Sequence, residues 1–235
     1  MPPEKFLVFD AESDYAHFRN YTTTSPLTYP FPPRTTLAGL VAAIQGLPRD
    51  SYHGIFQRQT SRIAVQLMQP LRKVTIKQNI IKTNANLYLE KGIRKQVLYE
   101  YVRAPKYRVY VWHSDPAFFS DLCTNVSEHT PYFTPYLGVA HCLADVSFVG
   151  VFDGVARAVD GQGLEVSSTV PYPDQYEFVL APDRRYGRVR TPGFMDCHRV
   201  VTEFIDSIFE EQGKPICIRR GNVVELSNGT CIAPV

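Results

Sequence analysis

Residues 19–49, "RNYTTTSPLTYPFPPRTTLAGLVAAIQGLPR", join a hydroxyl-rich loop to a small apolar helix. Pro26, Pro30, Pro32 and Pro33 punctuate the loop. Beyond them Leu37, Leu40, Val41 and Ile44 fall at i, i+3, i+4 and i+7, which predicts a helix with one apolar face. Thr35 or Thr36 is placed to cap it, and Gly46 with Pro48 to stop it. Ala38, Gly39, Ala42 and Ala43 are small enough for that helix to lie close on a sheet.

A β-rich run, "KFLVFDAESDYAHFR", precedes the loop and reads as a first strand. After the helix, "IAVQLMQPLRKVTIKQNII" reads as extended chain, and "GIRKQVLYEYVRAPKYRVYVWH" as two strands around Ala104-Pro105. "DPAFFSDLCTNV" predicts a short helix capped at Asp115 with Pro116 in its first turn. "YLGVAHCLADVSFVGVF" is strand-like again. The order β-α-β-β-α-β is that of a ferredoxin-like unit in an α+β protein, with the basic stretch as an extended hairpin between the central strands. Further on, Val200, Val201, Phe204, Ile205, Ile208 and Phe209 predict a second amphipathic helix, capped by Asp196 and ended by Gly213. Two short strands around Gly221-Asn222 are expected to close the chain. The segment 158–175 is the expected junction, giving a domain of residues 1–157 with a thumb insertion at about 72–108, and a smaller α+β portion at 158–235.

The 235 residues are 44% hydrophobic and 20% charged, an ordinary globular balance. The first residues lack the apolar core of a signal peptide, and no apolar run is long enough to cross a bilayer. Five cysteines without a CxxC fit reduced thiols and a cytoplasmic location. The net charge of +2 hides an asymmetry: between Arg58 and Arg108 stand twelve Lys/Arg against two acids, Glu90 and Glu100. So basic a segment on an otherwise acidic chain is an electrostatic footprint for a polyanion. Two acids within it cannot pair with twelve bases, which weighs against a merely salt-bridged surface.

The loop hydroxyls and rings converge on the start of the first helix, where free N–H groups and the helix dipole suit a phosphate. The same residues also fit plain capping beside a proline loop. Along the hairpin, Lys73, Thr75 and Lys77 alternate, so one face can be basic. Tyr99, Tyr101 and Tyr107 serve either as stacking rings or as half-buried strand residues, at least one of them core. Asp14, Tyr15 and His17 have the chemistry for acid–base RNA cleavage, although a lone strand histidine is more commonly packed and hydrogen-bonded. His141-Cys142 and Cys197-His198 are adjacent pairs without chelate spacing, so no metal and no cofactor are expected.

"YAHFRNYTTTSPLTYPFPPRTTLAGLVAAIQG" closely resembles the N-terminal signature of the CRISPR-associated Cas5 family in its type I-B-like form. "TPYLGVAHCLADV" resembles that family's second recurring motif, and the likeness extends over essentially the whole chain. The resemblance implies a ferredoxin-like, RRM-related RAMP-superfamily fold with a hairpin thumb. It implies a non-catalytic subunit that caps the 5′ handle of the crRNA in a type I Cascade complex. Its partners would be the backbone subunits and the large PAM-reading subunit, with target DNA met indirectly. The alternative is the type I-C-like activity, a metal-independent endoribonuclease acting on precursor crRNA. RNA-binding candidates are Arg19, Tyr21, Thr22, Thr24, Tyr29, Arg34, Thr35 and Thr36 around the loop. Lys77, Asn79, Lys82, Lys91, Arg94, Lys95 and Arg108 continue the set along the thumb.

Overall fold

The computed structural model describes residues 4–20, 25–81, 94–172 and 176–235, with Ile81 and Arg94 by backbone alone. The first half of the chain forms β1 (Glu4–Glu12), β2 (Tyr15–Ala16), α1 (Arg34–Ile44), β3 (Ser61–Leu67), β4 (Lys73–Ile81), β5 (Arg94–Arg103), β6 (Lys106–His113) and α2 (Pro116–Ser127). The second half is β7 (Asp145–Val166), β8 (Val170–Tyr172), β9 (Glu177–Val179), β10 (Tyr186–Met195), β11 (Val201–Glu210), β12 (Ile216–Leu226) and β13 (Cys231–Ile232). The fold is mixed, dominated by antiparallel sheets and carrying two helices among the described residues.

The main sheet runs β13-β12-β7-β1-β6-β3, with β9 on β12. β1 lies near its middle, and every residue from Phe6 to Ala11 is buried. Leu7, Phe9 and Ala11 pack into one core with α1 and α2. Phe6 and Val8 face a second core containing Tyr110, Val224, Leu226 and Ile232. Burial on both faces explains why "FLVF" is a continuous apolar run rather than an alternating one. The outer edge of β3 is not left open. Ile63 and Val235 exchange two backbone hydrogen bonds of 3.0 Å, and Thr169 N–H donates to Val65 O at 2.8 Å. The two ends of the sheet are thereby brought together.

Two smaller sheets flank this body: β2-β5-β4, which is the hairpin, and β10-β11-β8. The second corrects the sequence reading. Residues 201–210 form strand β11, not a helix, and among the described residues no helix follows α2. Ile205, Ser207 and Phe209 face inward at period two, and the segment is rich in β-branched and aromatic residues. Asp196 caps a turn, accepting from the N–H groups of His198 and Val200 at 2.9 Å each. Around Gly221-Asn222 there is one strand, β12, with an irregularity between Ile218 and Arg220, in place of two short strands. β7 continues through the expected junction at 157/158, pairing with β1 by its first half and with β12 by its second.

The loop between α2 and β7 lies beneath the start of the hairpin. Gly138 has φ +90°, and a Cβ there would lie 2.1 Å from the carbonyl oxygen of His17. Replacing Gly138 with alanine therefore meets both backbone strain and a backbone clash, and is expected to destabilise by more than ~1 kcal/mol in urea unfolding. Gly161→Ala, at φ +80° with open space around it, meets only the strain. It should cost clearly less, and equal losses would remove the contact from the explanation.

Candidate nucleic-acid interface

The hairpin has two unlike faces. Cross-strand partners share a side, so Lys73, Thr75, Lys77 and Asn79 of β4 stand with Val102, Glu100, Leu98 and Gln96 of β5. The β4 residues of that face are exposed, as the alternating cations predicted. The opposite face carries Val74, Ile76 and Gln78 with Tyr101, Tyr99 and Val97, and ends on the exposed Lys95. The candidates Lys82, Lys91, Tyr21, Thr22 and Thr24 lie outside the described residues, and Arg94 is described by backbone only.

Aromatic groups gather where the hairpin meets the body. His17, 1% exposed, has its ring 5.3 Å from Tyr99 and 5.5 Å from Tyr101. Its Nδ1 lies 2.7 Å from the Glu100 carbonyl, which can only accept, so Nδ1 carries the proton and Nε2 is a bare acceptor. That Nε2 is buried without a hydrogen-bond partner among the described residues. Burial foremost lowers the His17 pKa from its ordinary 6.5, and the charges of Arg19 and His141 push the same way. The Tyr101 hydroxyl takes a hydrogen bond from the Gln78 amide and lies 3.0 Å from His141 Nε2. Burial raises its pKa to about 12. Tyr101 and Tyr107 are both core residues at 2% exposure. Of the candidate acid–base trio, Asp14 and Tyr15 are exposed while His17 is enclosed.

Glu100 anchors the loop to the hairpin. Its Oε2 accepts from Lys73 Nζ and from Thr28 N–H, both at 3.0 Å, and Lys73 also donates to Thr28 O at 2.9 Å. Tertiary structure brings further acids to the basic segment: Arg58 pairs with Glu203, Arg62 with Glu4, Arg108 with Asp10, and Lys106 with Glu12. The sequence argument that two acids cannot balance twelve bases thus overlooked acids that are distant in the chain. Arg72, Lys77, Lys95 and Arg103 remain exposed without an ion pair among the described residues. Arg108, grouped with the thumb by sequence, sits on β6 of the main sheet, its guanidinium bidentate on Asp10 at 2.7 and 3.0 Å.

The start of α1 is built differently from expectation. Arg34 is 7% exposed and points inward. Its Nε donates to Val235 O at 2.9 Å, its Nη1 to Phe56 O at 3.0 Å, and its Nη2 to Ser61 Oγ at 2.8 Å. Phe194 of β10 lies over the guanidinium at 4.0 Å. Burial, with Arg58 nearby, lowers its pKa to about 10. Pro33, not a threonine, occupies the cap position, and no side chain caps the helix. Thr35 Oγ1 donates to Pro192 O at 3.5 Å, and Thr36 is half-buried. Tyr29 is a core residue at 3% exposure. Arg34 and Tyr29 are therefore internal ties, and β10 covers the helix end proposed for an anion. Arg19 stays exposed beside the His17 cluster. Among the described residues no three His, Cys, Asp or Glu groups converge as metal ligands, and no helix is long and apolar enough to cross a membrane.

Residues 6–185 match the family described as "CRISPR-associated protein (Cas_Cas5)". The chain belongs to the Cas5 family. No curated protein matches this Cas5-family chain. Among solved structures it is similar to a CRISPR protein from Archaeoglobus fulgidus, at 13% identity and TM-score 0.58, covering 97% of this chain and 98% of that one. It is also similar to a chain of a CRISPR RNA-guided surveillance complex, at 16% identity and TM-score 0.51, covering 89% and 91%. At such identities the likeness is one of fold.

Sequence reasoning missed Glu100, Gln78, Gly138 and His141 as builders of the hairpin base. One signal was available for Glu100, one of only two acids in the basic stretch.

Two expectations follow from these enclosed groups. Lysine at position 34 cannot reach Val235, Phe56 and Ser61 together, so Arg34→Lys should lose more than ~2 kcal/mol of stability, about one or two charge-assisted hydrogen bonds. Urea unfolding checks this, and a parent-like midpoint would show that the three internal bonds carry no net stability. His17, with a folded pKa below 6.5, is neutral and stabilising above that value, and that contribution is lost as pH falls through the folded pKa. The parent's melting temperature should therefore fall more between pH 7 and pH 5 than that of His17→Gln, and parallel curves would show that protonating the ring costs nothing.

Proposed function

We propose that this chain is a non-catalytic RNA-binding subunit of a CRISPR RNA-guided surveillance complex, holding the 5′ handle of the guide along the hairpin β4–β5. The observation that carries the reading is the two-faced hairpin. Lys77 and Asn79 are exposed on one face, and Lys95 with half-buried Tyr99 lies on the other. Cations that track a backbone, beside rings on which unpaired bases stack, are what a single RNA strand requires. Family membership and the similarity to a surveillance-complex chain support the same reading. The proposed partners are the subunits coating the guide and a large PAM-reading subunit; pairing by the guide, not this chain, would read DNA. The proposed fold is ferredoxin-like within the RAMP superfamily. The strand order β7-β1-β6-β3, with α1 and α2 in the two crossovers, supports it.

A second reading, a metal-independent endoribonuclease on precursor RNA, is favoured by one observation, the Nε2 of His17, which has no hydrogen-bond partner among the described residues and lies near Tyr101 and His141. Against it, His17 is 1% exposed and Tyr101 has its pKa raised, so neither is poised to take a proton from a ribose hydroxyl near pH 7.

Reversing Lys77 and Lys95 to glutamate should weaken binding to repeat-derived RNA with the melting temperature unchanged. If both touch phosphate, the log–log salt dependence flattens by about 1.4, or roughly 0.7 per contact. Unchanged affinity at matched salt removes the hairpin from the interface. Incubating the parent with repeat RNA in EDTA should give no discrete product; a product that disappears in His17→Gln would establish the second reading.

A further inference from the structure

A second surface of nucleic-acid chemistry lies on the sheet β10-β11-β8, apart from the hairpin. One side of this sheet is core: Ile205, Ser207 and Phe209 are buried there, and Phe209 packs edge-on against Phe31 at 5.6 Å. The register places Arg188 and Arg190 of β10, Phe204 and Asp206 of β11, and Tyr172 of β8 together on the other side. There Arg188 stacks over Tyr172 at 4.2 Å and Arg190 over Phe204 at 5.0 Å. Phe204 is 41% exposed, and both arginines are exposed.

Asp206 is the acid that faces these arginines, held by Arg188 at 3.3 Å. Glu210, the other acid of that parity, is buried and turned to the N–H groups of Gln212 and Lys214. Arg190 has no ion pair among the described residues, and Arg185, just before β10, is exposed. Among the described residues the face is therefore net positive, with a large ring open to solvent. Alternate residues of a strand stand about 6.6 Å apart. That is about twice the 3.4 Å rise of a stacked nucleic-acid strand. The spacing suits phosphates of an extended strand whose bases are unstacked, and Phe204 offers a face on which such a base can stack. An acidic peptide would use the arginines alone and leave the phenylalanine without a role.

We infer that the open face of β10-β11-β8 binds a segment of single-stranded nucleic acid, with Arg188 and Arg190 on successive phosphates and Phe204 under a base. This surface belongs to a different sheet from the hairpin, so it stands or falls separately from the handle reading.

The test uses the full chain carrying Lys77→Glu and Lys95→Glu, which weakens the hairpin's contribution, and fluorescein-labelled dT12 and rU12 as probes in anisotropy titrations. Adding Arg188→Gln and Arg190→Gln should lower affinity about tenfold and flatten the salt dependence by about a further 1.4. Phe204→Leu keeps an apolar group but removes the ring. It should weaken binding about fivefold or more, while Phe204→Tyr stays within twofold of the starting protein. Melting temperatures should be unchanged in all variants. A stronger loss for dT12 than for rU12 identifies a DNA segment as the ligand, and the reverse an RNA segment. Equal binding by all variants overturns the inference, as does Phe204→Leu binding as well as phenylalanine. Displacement of the probe by poly-glutamate at equal charge concentration also overturns it, assigning the face to acidic protein.

Discussion

A guanidinium cannot be buried without acceptors, and the acceptors of Arg34 come from places the chain could bring together only by folding completely. Val235 O, Phe56 O and the Ser61 hydroxyl lie within 2.8 to 3.0 Å of it. Removing a buried charge's partners is costly, so each of these segments is constrained by the others. Val235 must sit against β3, which it does through paired bonds to Ile63. β10 must approach closely enough for Phe194 to lie over the charge. Helix, sheet edge and second sheet thus meet around one side chain.

The same reliance on distant partners organises the hairpin base. Glu100 accepts from Lys73 and from the backbone of Thr28, and its own carbonyl fixes the tautomer of His17. The base of the hairpin is in this way seated on the body from both faces, while Lys77 and Asn79 farther along β4 stay exposed. Binding surfaces presented by a seated scaffold lose less entropy on contact with a ligand than free loops do.

The charge pattern shows where sequence reading fails. Twelve bases in one stretch looked unpaired because only Glu90 and Glu100 share that stretch. Glu4, Asp10, Glu12 and Glu203 neutralise several of them from elsewhere in the chain. Among the described residues, what remains positive is the subset Arg72, Lys77, Lys95 and Arg103, placed along the hairpin. A charge count along the chain locates a region; Coulomb attraction acts through space, and only folding says which charges meet.

Local signals, by themselves, determined what depends on near neighbours in the chain. The apolar spacing of Leu37, Leu40, Val41 and Ile44 fixed α1, and Asp115 with Pro116 fixed the start of α2. Alternation at Lys73, Thr75 and Lys77 fixed the exposed face of the hairpin, and the motif around residues 15–46 fixed the family. Residues 201–210 escaped this logic because their apolar pairs satisfy a helical period as well as a strand's, and pairing with β8 and β10 decided the matter. Arg34 escaped it because an arginine before two threonines looks the same whether it faces a phosphate or three internal acceptors. Only the tertiary structure, by placing Val235, Phe56 and Ser61 around it, turned that charge inward, since desolvating a cation is tolerable only where acceptors already wait.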